Sequence, residues 1–370
     1  MPAKPAPTAI VLRGGKVLLE SGEFSVLDVL AEDGCIARLG TGLRCAGALE
    51  LDASGCLVLP GIVDIHGDAF ERNIMPRPRV MFALETAMLE SDRQLASNGI
   101  TTGYHGVTVS WEPGLRCLAE ALRIVDAMDA VREQCLIDNR LHIRWENHAI
   151  DVVPDVIKLF SRDEKPLLAF NDHTTSGIAG LRTPAKFAAY AEKAMVSVED
   201  YIDLMRTAAT RVAEVPAATN TLAQAARSMG IAMLSHDDKS AAMRASYRAL
   251  GVRVCEFPVT WEAAESAAAS GDLNIFGAPN VVRGGSHYGA LSASEAVRRG
   301  LCHMLASDYY YSAPLLAALT LAGQAFAHGP GTGHGVGKSA MAARSAPRDR
   351  GVLARSKRRA DVIVLPEGRT

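Results

Sequence analysis

The sequence predicts an α/β protein, a (β/α)8 TIM-type barrel carrying a small β-sandwich domain built from both chain ends. Three observations predict it. From Leu57 onward an apolar strand-like run followed by a longer helical stretch recurs eight times; polar residues of metal-ligating type stand where several of those runs end; and residues 1–56 follow another rhythm, short β-type runs split by turns. The expected division is residues 1–56 plus 345–370 for the small β domain and 57–344 for the barrel.

In the N-terminal unit the runs are Ala9 to Leu12, Lys16 to Leu19, Ser25 to Leu30 and Cys35 to Leu39, with turns expected at Gly14-Gly15 and Asp33-Gly34. The barrel strands are expected around Leu57 to Ile65, Thr101 to Val107, Leu141 to Trp145, Leu167 to Phe170, Ala232 to Leu234, Val252 to Phe257, Asn274 to Gly277 and His303 to Ala306. Eight is the number that closes a barrel. Asn98-Gly99 is a helix stop, Glu112-Pro113 a helix start, and Thr183-Pro184 opens a long charged helical insertion running to about Gly230. That insertion exceeds what a barrel needs, and it follows a strand whose end carries polar residues, so a packing element and a lid are both open readings. One late strand, Asp361 to Leu365, is expected to return to the N-terminal unit.

Composition narrows the function. With 370 residues, 48% of them hydrophobic, the chain can bury one large core and a small accessory unit. Its 39 basic and 41 acidic side chains leave a net charge of -2, no field that would gather nucleic acid or an anionic membrane, so anion binding must be local. Cys35, Cys45, Cys56, Cys117, Cys135, Cys255 and Cys302 contain no C-x-x-C pair, which argues against a disulfide framework or a thiolate zinc site. The Met1 to Thr8 segment lacks the apolar core of a signal peptide, and Ala313 to Ala327 contains Gln324 and reads as a barrel helix. The expectation is a cytoplasmic protein; oligomeric state, a homo-oligomer included, is left open.

The chemistry is expected at the strand ends: His66 and Asp68 in VDIHGD, Glu146 in HIRWEN, His173 in FNDH, His236 in LSHDD and Asp308 in ASDYY. Barrel strand ends converge on one face, so distant residues become one cluster of imidazoles and carboxylates, a donor mixture suited to zinc or manganese. Singly, each has a plainer role as a hydrogen-bonded histidine or a helix cap; together they form a pattern. His66-x-Asp68 and His236-Asp237-Asp238 are its strongest parts.

The strings LPGIVDIHGD, SDYY and KRRADVIVL resemble the amidohydrolase superfamily. Within it, PRPRV, HIRWE, LSHDD, EFPVTWEAAE and GAPNVVRGGSH resemble the diphosphatases of the carbon-phosphorus lyase pathway, over nearly the whole stretch from Leu57 to Pro314. The resemblance implies hydrolysis of alpha-D-ribose 1-methylphosphonate 5-triphosphate to the 5-phosphate and pyrophosphate, with one or two divalent ions. It places the first-strand ligands at His66 and Asp68, the middle ones at Glu146, His173 and His236, and the last-strand aspartate at Asp308. The general superfamily has a second histidine in place of Asp68 and a carboxylated lysine where Glu146 is assigned.

For such a small phosphorylated ribose, a metal ion would acidify a water, and Asp308 is the candidate catalytic base. Fixed cations and amides carry the remaining charge stabilisation. Arg283-Gly284-Gly285-Ser286-His287 combines a guanidinium fork with an approachable backbone, and Arg77 and Arg79 sit between stiffening prolines. Arg144 and Lys239 are further substrate-binding candidates. The segment Gly331 to Ser339 looks like a phosphate loop, but Thr332 occupies the position of its first glycine. Two other readings use the same residues: hydrolysis of a C-N bond in a cyclic amide or N-acyl compound, and an inactive partner in a phosphonate-processing assembly.

Overall fold

The computed structural model describes residues 9–180, 183–285, 291–327 and 362–366. The N-terminal strands β1 (Ala9–Leu18), β2 (Phe24–Glu32), β3 (Cys35–Gly40), β4 (Leu49–Asp52) and β5 (Cys56–Pro60) form a six-stranded sheet with β14 (Val362–Pro366). The late strand thus returns antiparallel onto β5, Val364 opposite Val58. Gly14-Gly15 is not a turn, as expected, but a bulge inside the single strand β1. The bulge divides the partners of β1: Ile10 to Arg13 pair with β4, Lys16 and Val17 with β5. Glycine is required because a Cβ at Gly15 would lie 2.4 Å from Val58 Cγ2. Asp33-Gly34 is the hairpin turn, both residues at positive φ. The remainder of the expected C-terminal share of this domain, and the segment Gly331 to Ser339, lie outside the described residues.

A second sheet holds eight parallel strands in sequence order: β6 (Ile62–Gly67), β7 (Ile100–Val109), β8 (Asp138–Glu146), β9 (Leu167–Asn171), β10 (Ala232–His236), β11 (Val254–Glu256), β12 (Leu273–Gly277) and β13 (Met304–Ala306). The run expected as one strand from Leu57 to Ile65 is two, β5 in the first sheet and β6 in the barrel, because the chain changes sheets at Gly61. Period-2 alternation explains the two cores of the barrel. On β8, Leu141, Ile143 and Trp145 face outward onto α2 (Leu84–Ser97), α3 (Leu118–Val131) and α4 (Val153–Leu159). A separate lumen core gathers Ile65, Tyr104, Leu167, Ala169, Leu234, Val254, Ile275, Met304 and Ala306. The helix expected from Glu112-Pro113 begins later, at Leu118, with Cys117 as its cap after a short 3-10 turn. The insertion folds as α6 (Pro184–Ala194), α7 (Val198–Ala209) and α8 (Val215–Ser228), α6 opening with the Thr183 side-chain cap and Pro184. Among the described residues no helix is long and apolar enough to cross a membrane.

The barrel closes where its first and last strands meet. Asp308 N donates to His66 O and Asp68 N to Asp308 O, both at 2.9 Å. Beneath this pair the buried carboxylate of Asp64 accepts from Ser307 N at 3.0 Å and Ser307 Oγ at 2.5 Å. Removing the hydroxyl leaves a buried carboxylate short of a donor. Ser307→Ala is expected to cost about 1–3 kcal/mol, read as a lower urea midpoint at unchanged m-value; an unchanged midpoint would mean the hydroxyl does not hold the seam.

Candidate metal and hydrolase site

At the C-terminal end of the barrel, three groups each place ligand atoms within 4.8 Å of one another: His66, His142 and Glu256; His66, Asp68 and Asp308; His173, His236 and Asp237. Glu256 joins them. Its two oxygens accept from His66 Nδ1 and His236 Nδ1, each at 2.8 Å. With the carboxylate as acceptor both rings carry their proton on Nδ1, leaving Nε2 as a lone pair. His142 Nδ1 donates to Ile65 O at 2.8 Å, which fixes the same tautomer in a third ring. The Nε2 atoms of His66 and His142 are buried with no hydrogen-bond partner. Bare imidazole lone pairs in a buried site are what a cation would satisfy.

Electrostatics agree. Burial first, and then Arg144, lowers the pKa of His66 to about 3. Burial, opposed by the Glu256 hydrogen bond, lowers His236 to about 3; burial likewise lowers His142 to about 4. These rings are neutral at physiological pH, the ligating form. Asp308 is raised to about 8, by burial and then by the nearby Asp68 carboxylate. Asp308, which resists ionisation among neighbouring carboxylates, and imidazoles that resist protonation together make a site that fits a divalent ion. The backbone is also held unusually: Asp237 and Phe257, immediately after β10 and β11, and Asp308, two residues after the end of β13, are non-glycine residues at positive φ (60°, 52° and 53°). Each costs of the order of 1–3 kcal/mol and aims a side chain at the barrel mouth.

The remaining expected residues divide. Asp68 accepts from Arg144 Nη1 at 3.1 Å. Glu146 enters none of the three groups among the described residues. It accepts from His173 N, Thr174 N and Thr174 Oγ1 (3.1, 3.1 and 2.7 Å), at the start of α5 (His173–Ile178), and lies 3.2 Å from His173 Nδ1. Despite burial, these partners, His173 foremost, lower it to about 2. It therefore orients His173. Asp238 points away from the mouth, into a buried ion pair with Arg244 (2.9 Å).

A cleft of about 770 Å³ opens above the groups, with Asp68, His236, Asp237 and Asp308 at its base and Arg116, Arg144, Lys186, Lys193 and Arg283 among its lining. Arg77 and Arg79 are exposed and do not line it. Lys239 is also absent from the lining and donates to Ser176 Oγ at 2.7 Å. The amides of Gly284 and Gly285 donate to Val281 O and Asn280 O, closing α11 (Ala278–Val282), so neither is turned to an anion, while Arg283 faces the cleft. Ser286 and His287 lie outside the described residues. Sequence reasoning missed His142 as a site residue, together with the α6 cations and Arg116. His142 was discoverable: on β8 the residues His142, Arg144 and Glu146 alternate with the apolar Ile143 and Trp145.

The chain is 31% identical over 279 residues to the alpha-D-ribose 1-methylphosphonate 5-triphosphate diphosphatase of Escherichia coli (strain K12), covering 74% of this chain and 73% of that protein. A 58-residue stretch, 15% of this chain, is 47% identical to dihydroorotase of Syntrophotalea carbinolica, covering 14% of it. No protein-family model matches. Among solved structures, an amidohydrolase from an environmental sample of the Sargasso Sea superposes with TM-score 0.59 at 15% identity, over 96% of this chain and 84% of that one. Molinate hydrolase superposes with TM-score 0.56 at 12% identity, over 90% and 85%.

The buried groups predict a pH optimum of stability for the metal-free protein. Imidazoles lowered in the fold take up protons first in the unfolded chain, so stability present above the ordinary value of 6.5 is lost as pH falls toward 4. Asp308, raised in the fold, contributes stability present below its ordinary 3.8 and lost as pH rises through about 8. Melting temperature after chelation should peak near pH ~6.5 and fall on both sides, and Asp308→Asn should reduce the alkaline limb, to which the raised Asp64 and Glu112 carboxyls also contribute. A flat profile would contradict the burial of these groups.

Proposed function

We propose that this chain, which belongs to the amidohydrolase superfamily and within it to the family of the Escherichia coli diphosphatase, hydrolyses alpha-D-ribose 1-methylphosphonate 5-triphosphate to the 5-phosphate and pyrophosphate. The observation that carries the reading is a cleft whose base gathers acidic and imidazole ligands and whose walls hold five cationic side chains. An uncharged cyclic amide needs no such walls; a triphosphate does. His66, His142 and His236 with Asp68 and Asp308 would hold one or two divalent ions, zinc or manganese by donor type. When bound, such an ion supplies Lewis acidity to water and screens the phosphoryl oxygens.

The chain's own residues supply the rest. Asp308, at the base of the cleft beside Asp68, would accept the proton of the attacking water in its carboxylate form, which a bound cation would favour over the protonated form that burial and Asp68 favour in its absence. Glu256 holds His66 and His236 in one tautomer, and Glu146 orients His173. Arg144, beside Asp68 in the lining of the cleft, would face the phosphoryl group undergoing attack. Water adds to phosphorus, the bond to the bridging oxygen breaks, and pyrophosphate departs with that oxygen. The short match to dihydroorotase favours a second reading, C-N hydrolysis with the same base.

Phosphorus NMR of the metal-loaded protein with the ribose 1-methylphosphonate 5-triphosphate should show pyrophosphate and the 5-phosphate. Chelation should abolish it and Asp308→Asn lower kcat by roughly 100-fold or more. Metal-loaded protein that leaves the triphosphate intact but opens a cyclic amide would transfer the assignment to C-N hydrolysis.

A further inference from the structure

One wall of the cleft comes from the helical insertion. On α6, Lys186, Tyr190 and Lys193 follow i, i+4, i+7 spacing and so share the face that lines the cleft, while Ala191 and Ala194 pack inward with Tyr201. The helix is pinned to the barrel. Glu71, buried on α1 (Phe70–Ile74), accepts two hydrogen bonds of 2.9 Å from Arg116 Nε and Nη2, and a third from Lys193 Nζ. Gly114 gives the docking room, for a Cβ there would lie 2.5 Å from Lys193 O. The Arg116 guanidinium stacks 5.4 Å from the Tyr190 ring centre.

The charge balance of this wall is uneven. Despite burial, Arg116 and Lys193 hold the Glu71 carboxyl well below the usual range, so one full negative charge faces two positive ones. Lys186 adds another cation on the same face. Arg116 spends two of its five N–H groups on Glu71, and Lys193 one of its three. Donors remain on a fixed, positively charged surface opposite the acidic base of the cleft. A carboxylate held ionised behind two cations keeps them in place without neutralising them.

We propose that Lys186, Lys193 and Arg116 form the subsite for the terminal phosphates of a polyphosphorylated substrate, along which the pyrophosphate leaving group lies. This rests on the reading of the site as a triphosphate hydrolase and assigns its specificity to the insertion rather than to Arg77, Arg79 or the glycine segment. A fixed cationic wall binds ground state and transition state alike, so its loss should appear in KM more than in kcat.

The probe is tripolyphosphate, titrated calorimetrically into the metal-loaded full chain, alongside kinetics with the ribose triphosphate. Lys186→Gln and Lys193→Gln should each weaken tripolyphosphate binding by about tenfold, the difference shrinking as salt is raised. Arg206→Gln, an exposed cation of α7, should stay within about twofold. Lys186 is not part of the Glu71 contact, so its variant keeps the test valid should Lys193→Gln unfold. Lys186→Gln within twofold of wild type in both tripolyphosphate affinity and KM would overturn the subsite, even with pyrophosphate release intact. Tripolyphosphate binding that depends on both lysines, in a protein that does not cleave the ribose triphosphate, would support the subsite and remove the reaction.

Discussion

Four carboxylates and four imidazoles gather at the mouth of one barrel, and a charge taken out of water persists only where something pairs with it. Much of the surrounding architecture answers that constraint. Glu256 is shared between two rings, Asp68 leans on Arg144, and Asp308 takes the cost as a raised proton affinity. The unsatisfied lone pairs of His66 and His142 complete the picture: the protein portion alone leaves this polar network unfinished. A divalent cation is a partner that all of these groups could share.

The same logic separates two kinds of buried acid. Glu146 and Glu71 are surrounded by donors and stay ionised, so they act as fixed props, one for His173 and the other for the α6 wall. Asp308 lies among other carboxylates and holds its proton, which places its titration in the working range of a base. Chemical type does not distinguish these residues; the sign of the nearest neighbour does.

The fold was legible because its signals are local and repeated. Eight apolar runs, separated by helix-length segments, specify the barrel without knowledge of any contact. The strand ends carrying His66, Asp68, His236 and Asp308 were legible for the same reason, since a polar, chemistry-bearing residue at the end of an apolar run stands out. Less visible were residues whose role depends on partners far along the chain. Glu146 reads as a ligand until the amides of His173 and Thr174 are seen to occupy it. Arg77 and Arg79 look like an anion site until the cleft is found elsewhere. Lys186 and Lys193 look like ordinary solvated helix charges, and only the docking of α6 over Arg116 turns them inward. Gly14-Gly15 misled in the opposite direction, because a bulge and a turn call for the same residues.

The seam between Gly67 and Asp308 has a consequence for how the chain matures. His66 and Asp308 are brought together by contacts spanning more than two hundred residues, among the most non-local the barrel makes. Loop-closure entropy makes such pairings late events in folding. During synthesis the ligand cluster has no existence as a unit until the final strand emerges and joins the first. Any capture of a metal ion at this cluster would thereby be deferred to the finished barrel, since a partly made chain presents scattered histidines rather than the gathered group.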